Sequence, residues 1–203
     1  MDAGPDIEHH HHHHTGRVWV DMLLAISAVA ISFISLFLAV ENGRAMQRLV
    51  QANSWPFVAV GTNNGDLDGN YAFALVMQNK GIGPAKVEAL EVFYKGKPMA
   101  DGDALVHAIL GPRADLPANG FVSSSVTGGV LSSKEEIHFL AANAKSVSAA
   151  DMKTLSDGAR NLHFRFCYCS VFDECWLADH SVHGRLPPKP VKTCPVPATP
   201  FAN

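Results

Sequence analysis

The feature that most constrains this chain is an uncharged apolar run near its N-terminus. Residues 22–40 carry no charge, and their polar members are three serines, at positions 27, 32 and 35. At about 1.5 Å per helical residue, the run nearly matches a bilayer core of roughly 30 Å. Trp19 stands where an interfacial aromatic anchor belongs. A cleaved signal peptide would have a shorter apolar region and a small-residue cleavage site. We therefore predict a single-pass transmembrane helix over residues 18–40 that contacts membrane lipid.

The helical pattern continues beyond the apolar run. Over residues 41–54, Met46, Leu49, Val50 and Asn53 are spaced three and four apart, which predicts a juxtamembrane helix with one apolar face. That face either packs on the protein's own domain as a stalk or forms a homodimer seam. Ala28 and Ser32, four residues apart in the predicted span, favour the homodimer.

The first seventeen residues are set apart by their histidines. Six of the eleven histidines form the uninterrupted run 9–14, which is typical either of an affinity tag or of a natural metal-binding tract. Both interpretations predict a disordered tail over residues 1–17 without a folded site.

Beyond residue 54 the pattern is that of a mainly β domain. Short runs rich in Val, Phe, Tyr and Ala are broken every eight to fifteen residues by Gly, Pro, Asn or Asp, as in antiparallel sandwiches. Helix-capping residues flank two short helices, at 101–110 and 148–158. We predict an immunoglobulin-like antiparallel β-sandwich over residues 55–184, followed by a proline-rich tail over 185–203. The predicted strands are 55–62, 71–78, 86–94, 120–127, 135–140, 161–171 and 174–178.

Composition narrows the classes of function. Hydrophobic residues make up 47 % of the chain, which excludes a disordered protein, and the net charge of −3 gives no basic excess for nucleic acid.

In the predicted strand 161–171, alternation places Leu162, Phe164, Phe166 and Tyr168 on the core face. His163 falls on the opposite face beside Arg165, where histidines are more often bystanders than ligands.

The four cysteines are the most informative residues for chemistry. Cys167, Cys169, Cys175 and Cys194 all lie in the last 37 residues, and in an oxidising compartment an even, clustered set indicates two disulfides. Cys167 and Cys169 are next neighbours on one strand face, about 6.6 Å apart, so each is expected to bond to Cys175 or Cys194. One bridge then closes the turn 170–174, and the other attaches the tail to the sheet.

A reducing compartment would give the same residues another role, as free thiols or as a zinc site. The best set of four ligands is then Cys175, His180, His183 and Cys194, although no Cys-x-x-Cys pair is present. Disulfides are the favoured interpretation, so no cofactor is expected.

Two glycine-containing loops are candidate binding sites. In the first, Asn64, Asp66 and Asp68 place oxygen ligands at alternate positions, as in the first half of a calcium loop, but Leu75 stands where the closing Glu belongs. Ordinary hairpin loops use the same residues. The second loop runs Asn-Lys-Gly-Ile-Gly-Pro-Ala over residues 79–85 and precedes a strand, whereas a phosphate-binding loop precedes a helix. Its glycines are expected to supply positive φ.

This second loop is one of three features that the chain shares with a group of known proteins. Together with one N-terminal span and the Trp55-Pro56 pair that opens the next domain, it resembles a loose set of uncharacterised bacterial membrane-anchored β-sandwich proteins. The resemblance covers roughly residues 20–95 and extends to the cysteine segment. It implies this architecture and a bacterial membrane, and it implies no activity.

No established catalytic motif appears in the sequence, and an enzyme is the less favoured interpretation. We expect a binding or accessory module of the bacterial inner membrane, with its domain in the periplasm and an unidentified protein partner bound by loops such as 61–70 and 173–184. The alternative is a cytoplasm-facing zinc- or thiol-dependent domain, either a hydrolase or a sensor in a stress or defence system. The single extra Arg after the predicted span favours a domain in the cytoplasm, and the cysteines favour a domain in the periplasm.

Overall fold

The computed structural model describes residues 18–63, 71–112, 120–181 and 184–202. The chain divides between Leu49 and Val50 into two compact units. Several predictions fall outside the described residues: the tail over 1–17 with its histidine run, the calcium-loop residues Asn64, Asp66 and Asp68, and the zinc-ligand candidate His183.

The predicted transmembrane and juxtamembrane segments form one continuous helix, α1 (Val18–Asn53), in which no residue is buried. By length and composition this helix is long and apolar enough to cross a membrane. Its serine hydroxyls are satisfied internally, because Ser27 Oγ donates to the Leu24 carbonyl at 2.9 Å and Ser32 Oγ to the Ala28 carbonyl at 2.8 Å. Such internal bonds let a serine sit in apolar surroundings.

The rest of the chain is mainly β with two short helices, as predicted. Each of the seven predicted strands has a counterpart, and four further short strands, β4, β6, β10 and β11, were not predicted. The elements are β1 (Val58–Asn63), β2 (Tyr71–Asn79), β3 (Ala85–Tyr94), β4 (Lys97–Met99), α2 (Gly102–Leu110), β5 (Phe121–Ser123), β6 (Val130–Leu131), β7 (Glu136–Asn143), α3 (Ala149–Gly158), β8 (Leu162–Cys169), β9 (Cys175–Ser181), β10 (Gly184–Arg185) and β11 (Lys189–Val191).

The strands form two antiparallel sheets. One has the order β1-β2-β7-β5, and the other has the order β10-β9-β8-β3-β4, with β6 added on β3 and β11 on β9. The two sheets share one core. The Phe139 ring of the first sheet meets the Phe164 ring of the second edge-on at 6.2 Å. The prediction for β8 is confirmed, since Leu162, Phe164, Phe166 and Tyr168 are all buried in this core.

Local signals explain the two short helices. Asp101 caps α2 by accepting the Ala104 amide at 2.7 Å, and Ser148 caps α3 by accepting the Asp151 amide at 3.2 Å. Gly158 at the end of α3 lets the helices approach closely, because a Cβ there would lie 2.6 Å from Ile109 Cγ2 of α2.

The C-terminal segment, predicted as a proline-rich tail over residues 185–203, packs on the domain. β11 pairs with β9, and near the chain end Phe201 is 4 % exposed and lies in the core. The Phe201 amide donates to the Leu90 carbonyl at 2.9 Å, and its ring lies 6.0 Å from that of Phe139. The Phe201 side chain holds the end of this segment in the core.

A fully buried asparagine fastens the start of the domain. Asn79 Oδ1 accepts the Gly81 amide at 3.0 Å and the Phe57 amide at 3.2 Å, while its Nδ2 donates to the carbonyls of Gly83 at 2.8 Å and Leu131 at 3.1 Å. All four hydrogen-bonding positions of the amide are used. One side chain therefore joins the first residues of the domain to the β2–β3 turn and to β6.

The glycines of this turn have a different role from the expected one. Positive φ among described glycines occurs at other positions, namely 96, 111 and 128. At Gly83 a Cβ would overlap the Ser54 backbone, and at Gly81 it would overlap the backbone of Phe57. The sequence needs glycine here because two backbone segments touch, with the Lys80 amide donating to the Phe57 carbonyl at 2.7 Å.

We expect Asn79→Ala to lower the free energy of unfolding by about 3–4 kcal/mol, since it leaves buried amides and carbonyls without partners. Asn79→Asp should be similarly harmful, because it turns a carboxylate oxygen towards two carbonyls. Urea unfolding of the protein in detergent measures both, with the exposed Asn161→Ala as the matched control. A loss in Asn79→Ala no greater than in the control would contradict the role given to this side chain.

Candidate functional site

Several turns and the first residues of the domain come together at one end of the two sheets. β3 and β8 are antiparallel with Lys86 opposite Cys169, so the start of β3 and the end of β8 meet there. β6 joins the same end by pairing Val130 with Lys86. We call this region the apolar end and define it as residues 54–57, 80–84, 130–134 and 170–174.

Large hydrophobic side chains are exposed at the apolar end. They come from four separate segments of the chain: Trp55 is 49 % exposed, Ile82 59 %, Val130 58 %, Val171 46 % and Phe172 43 %. Single exposed hydrophobic residues are ordinary on protein surfaces, whereas several gathered in one region are typical of a contact surface.

A cleft opens within this surface. It is lined by Trp55, Phe57, Lys80, Gly81 and Ile82 and has a volume of about 480 Å³. The rings of Trp55 and Phe57 lie 5.9 Å apart. The backbone beneath the cleft is held by Asn79, whose Oδ1 accepts the amides of Phe57 and Gly81.

The apolar end carries charges of both signs, with Asp173 and Glu174 exposed on the 170–174 turn. Lys80 and Lys134 are exposed. Lys86 Nζ contacts Asp173 Oδ1 at 2.6 Å and so links β3 to the 170–174 turn. This pair is exposed and contributes little to stability.

The cysteines lie beside the apolar end, on the outer face of the second sheet. The structure pairs Cys167 with Cys194 and Cys169 with Cys175, with Cα–Cα distances of 5.7 Å and 4.0 Å. Spacing had left open which partner each strand cysteine takes. The sheet decides it, because the β8–β9 turn places Cys175 directly opposite Cys169. Cys194 then reaches Cys167 from the segment that follows β11.

The zinc set expected for a reducing compartment is not assembled. Cys175 and Cys194 are each in a disulfide, and His183 lies outside the described residues. Cys175 and His180 are five residues apart on β9, which puts them on opposite faces of the strand. His180 is 4 % exposed and meets the Phe166 ring edge-on at 5.1 Å in the core.

The hydroxyl of Tyr168 lies on the core side of the strand that carries two of the cysteines. It is buried and has no hydrogen-bond partner of normal geometry among the described residues. Burial raises the pKa of Tyr168 to about 12, and the nearby Val58 backbone opposes this shift by a smaller amount. Its ring stacks on Trp176 at 5.7 Å, so we assign this tyrosine to the core.

Sequence reasoning missed a polar network on the outer face of the same sheet. Arg165 Nε and Nη2 both contact Glu91 Oε2 at 2.6 Å, and the Glu91 side chain is 7 % exposed. His163 hydrogen-bonds to Asp179 and stacks on Phe93 at 5.3 Å. Alternation had placed His163 and Arg165 on this face. Their partners come from β3 and β9, whose register no local pattern supplied.

Comparison with known proteins gives no match: no family model, curated protein or solved structure is significantly similar to this chain. The resemblance to bacterial membrane-anchored β-sandwich proteins therefore stays a prediction.

Loss of the two disulfides should have unequal effects on stability. Chain-entropy arguments give about 3–4 kcal/mol for the Cys167–Cys194 bridge and about 2 kcal/mol for Cys169–Cys175, because their sequence separations are 27 and 6. We expect the double variant Cys167→Ala with Cys194→Ala to unfold at lower urea than the double variant Cys169→Ala with Cys175→Ala. The opposite ranking would mean that the bridge to the C-terminal segment is the less important one.

Proposed function

We propose that this protein is a single-pass, membrane-anchored binding or accessory module of the bacterial inner membrane, with its disulfide-bonded domain in the periplasm. The observation that carries the proposal is the pairing of all four cysteines in a domain joined to a helix of membrane-spanning length. Disulfides persist in oxidising compartments and are rare in the cytosol. A difference of one Arg across the helix is a weaker guide to orientation.

The strand order supports the immunoglobulin-like interpretation of the domain. In a constant-type immunoglobulin domain the sheets have the orders A-B-E-D and G-F-C. Here β1-β2-β7-β5 and β9-β8-β3 correspond to these orders if β1 is strand A, with β4 beside β3 as an extra edge strand. The antibody pattern of Cys, Trp and Cys is absent from the sequence, and the cystines of this domain lie on an outer face instead.

The exposed hydrophobic residues support binding of a protein partner as the activity. Aromatic residues surrounded by polar groups are enriched in contact surfaces. At the apolar end Trp55 and Phe172 are exposed, and so are the charged residues of the same region, Lys80, Lys134, Asp173 and Glu174. We infer that the partner presents an apolar patch surrounded by polar groups.

The alternative, a cytoplasm-facing thiol or zinc domain, has one observation in its favour. The sulfurs of Cys169, Cys175 and Cys194 lie within 4.8 Å of one another, so reduction would leave three thiols close together. This set differs from the four ligands expected from the sequence, and it exists only where both disulfides are opened.

Thiol labelling in intact cells tests the compartment. A membrane-impermeant maleimide is applied with the outer membrane permeabilised, and we expect the four native cysteines to react only after a reductant. As a matched control, Lys97→Cys adds an exposed thiol on β4 that reports the side directly, and it should react without reductant. Labelling of both kinds of thiol only after lysis of the inner membrane would place the domain in the cytoplasm.

Site-specific crosslinking tests the binding surface. A photoreactive phenylalanine analogue replaces Ile82 at the apolar end or Lys97 at the opposite end of β3, in membranes of cells that express the full chain. We expect a discrete adduct from position 82 that is lost when Trp55→Ser is added, and none from position 97. Equal adducts at both positions, or an adduct unaffected by Trp55→Ser, would argue against this surface.

A further inference from the structure

The two disulfides are in contact with each other. Cys169 Sγ lies 3.7 Å from Cys194 Sγ, although each of these sulfurs is bonded to another partner. We propose that the four cysteines form a single thiol–disulfide exchange centre, in which reductive opening of either disulfide leads to one common state. In that state Cys169 is bonded to Cys194, and Cys167 and Cys175 are thiols. The proposal rests on the sulfur positions and not on the compartment.

The first route begins at the disulfide across the β8–β9 turn. A small dithiol attacks the Cys175 sulfur and forms a mixed disulfide, and the electron pair of the broken bond leaves on Cys169. The second thiolate of the reductant then closes it into a cyclic disulfide and releases Cys175, which takes up a proton. Two electrons have passed from the dithiol to the protein.

The exchange step itself moves no electrons into or out of the protein. The Cys169 thiolate attacks the sulfur of Cys194 across the 3.7 Å contact, the Cys169–Cys194 bond forms, and the bond between Cys194 and Cys167 breaks. The electron pair leaves on Cys167, which is then protonated. Cys167 is fully buried, and a buried thiol behaves as a small apolar group.

The second route begins at the other disulfide and ends in the same state. Cys194 is only partly buried whereas Cys167 is fully buried, so the dithiol attacks Cys194 and releases Cys167. After the reductant has left as a cyclic disulfide, the Cys194 thiolate attacks Cys169, and Cys175 is released. Both routes use the same 3.7 Å contact, which makes Cys169 and Cys194 the central pair.

The common state keeps the C-terminal segment covalently attached. Opening an isolated Cys167–Cys194 bridge would free the segment that carries β11 and leads to Phe201. With exchange, the first two electrons move its attachment only from Cys167 to Cys169, two residues along β8. Reduction by a dithiol therefore has two steps of two electrons each, and only the second step detaches the C-terminal segment.

Timed reduction of the full-length wild-type protein in detergent tests this. Limiting dithiothreitol is added, samples are quenched in acid, free thiols are alkylated, and the modified residues and remaining disulfide are located by tandem mass spectrometry. We expect the two-thiol species to carry label on Cys167 and Cys175 and to contain the Cys169–Cys194 bond. A two-thiol species labelled only on Cys169 and Cys175, or only on Cys167 and Cys194, would overturn the proposal, because it would show two independent disulfides.

Three single variants give a matched comparison. In Cys175→Ser we expect the free thiol to appear on Cys167, and in Cys167→Ser on Cys175, since each variant can form the central bond. Cys169→Ser removes the central residue, so its free thiol should stay on Cys175. Label on Cys169 in Cys175→Ser, or on Cys167 in Cys169→Ser, would each contradict the assigned role of Cys169.

Discussion

The interaction on which the rest of this structure depends is the buried amide of Asn79. Its four hydrogen bonds join the residues that open the domain, the β2–β3 turn and β6. A buried amide that satisfied only some of these groups would be costly, because the remaining backbone groups could not reach water. The close backbone contacts of Gly81 and Gly83 belong to the same arrangement. These contacts position the backbone beneath the Trp55 side of the apolar end.

The second constraint lies on the outer face of the β9-β8-β3 sheet. There the Cys167–Cys194 bond holds the C-terminal segment, which is also attached by the β11–β9 pairing at the sheet edge and by the Phe201 ring in the core. Without the C-terminal segment, Cys167 and Cys169 on this outer face would be exposed to solvent. Covering it explains why the face that alternation marks as less apolar still contains two buried cysteines.

Much of the fold could be predicted from local pattern. Alternation identified the core face of β8, and the capping residues Asp101 and Ser148 identified α2 and α3 within a residue of their observed starts. The short strands β4, β6, β10 and β11 escaped prediction because two or three residues carry too little periodicity. The candidate site was harder. Of the two favoured loops, 173–184 shares only residues 173 and 174 with the apolar end, and most of 61–70 lies outside the described residues. The hydrophobic residues of the apolar end come from segments far apart in sequence.

The sequence by itself determined the apolar N-terminal helix, the mainly β character of the domain and the need for each strand cysteine to find a partner elsewhere, because these follow from length, alternation and spacing. Only the tertiary structure decided the disulfide pairing, the contact between Cys169 and Cys194, the docking of Phe201 and the gathering of exposed hydrophobic residues at one end. Each of these depends on the register between strands that are distant in the chain. Register is set by the whole core, and no single segment of sequence contains it.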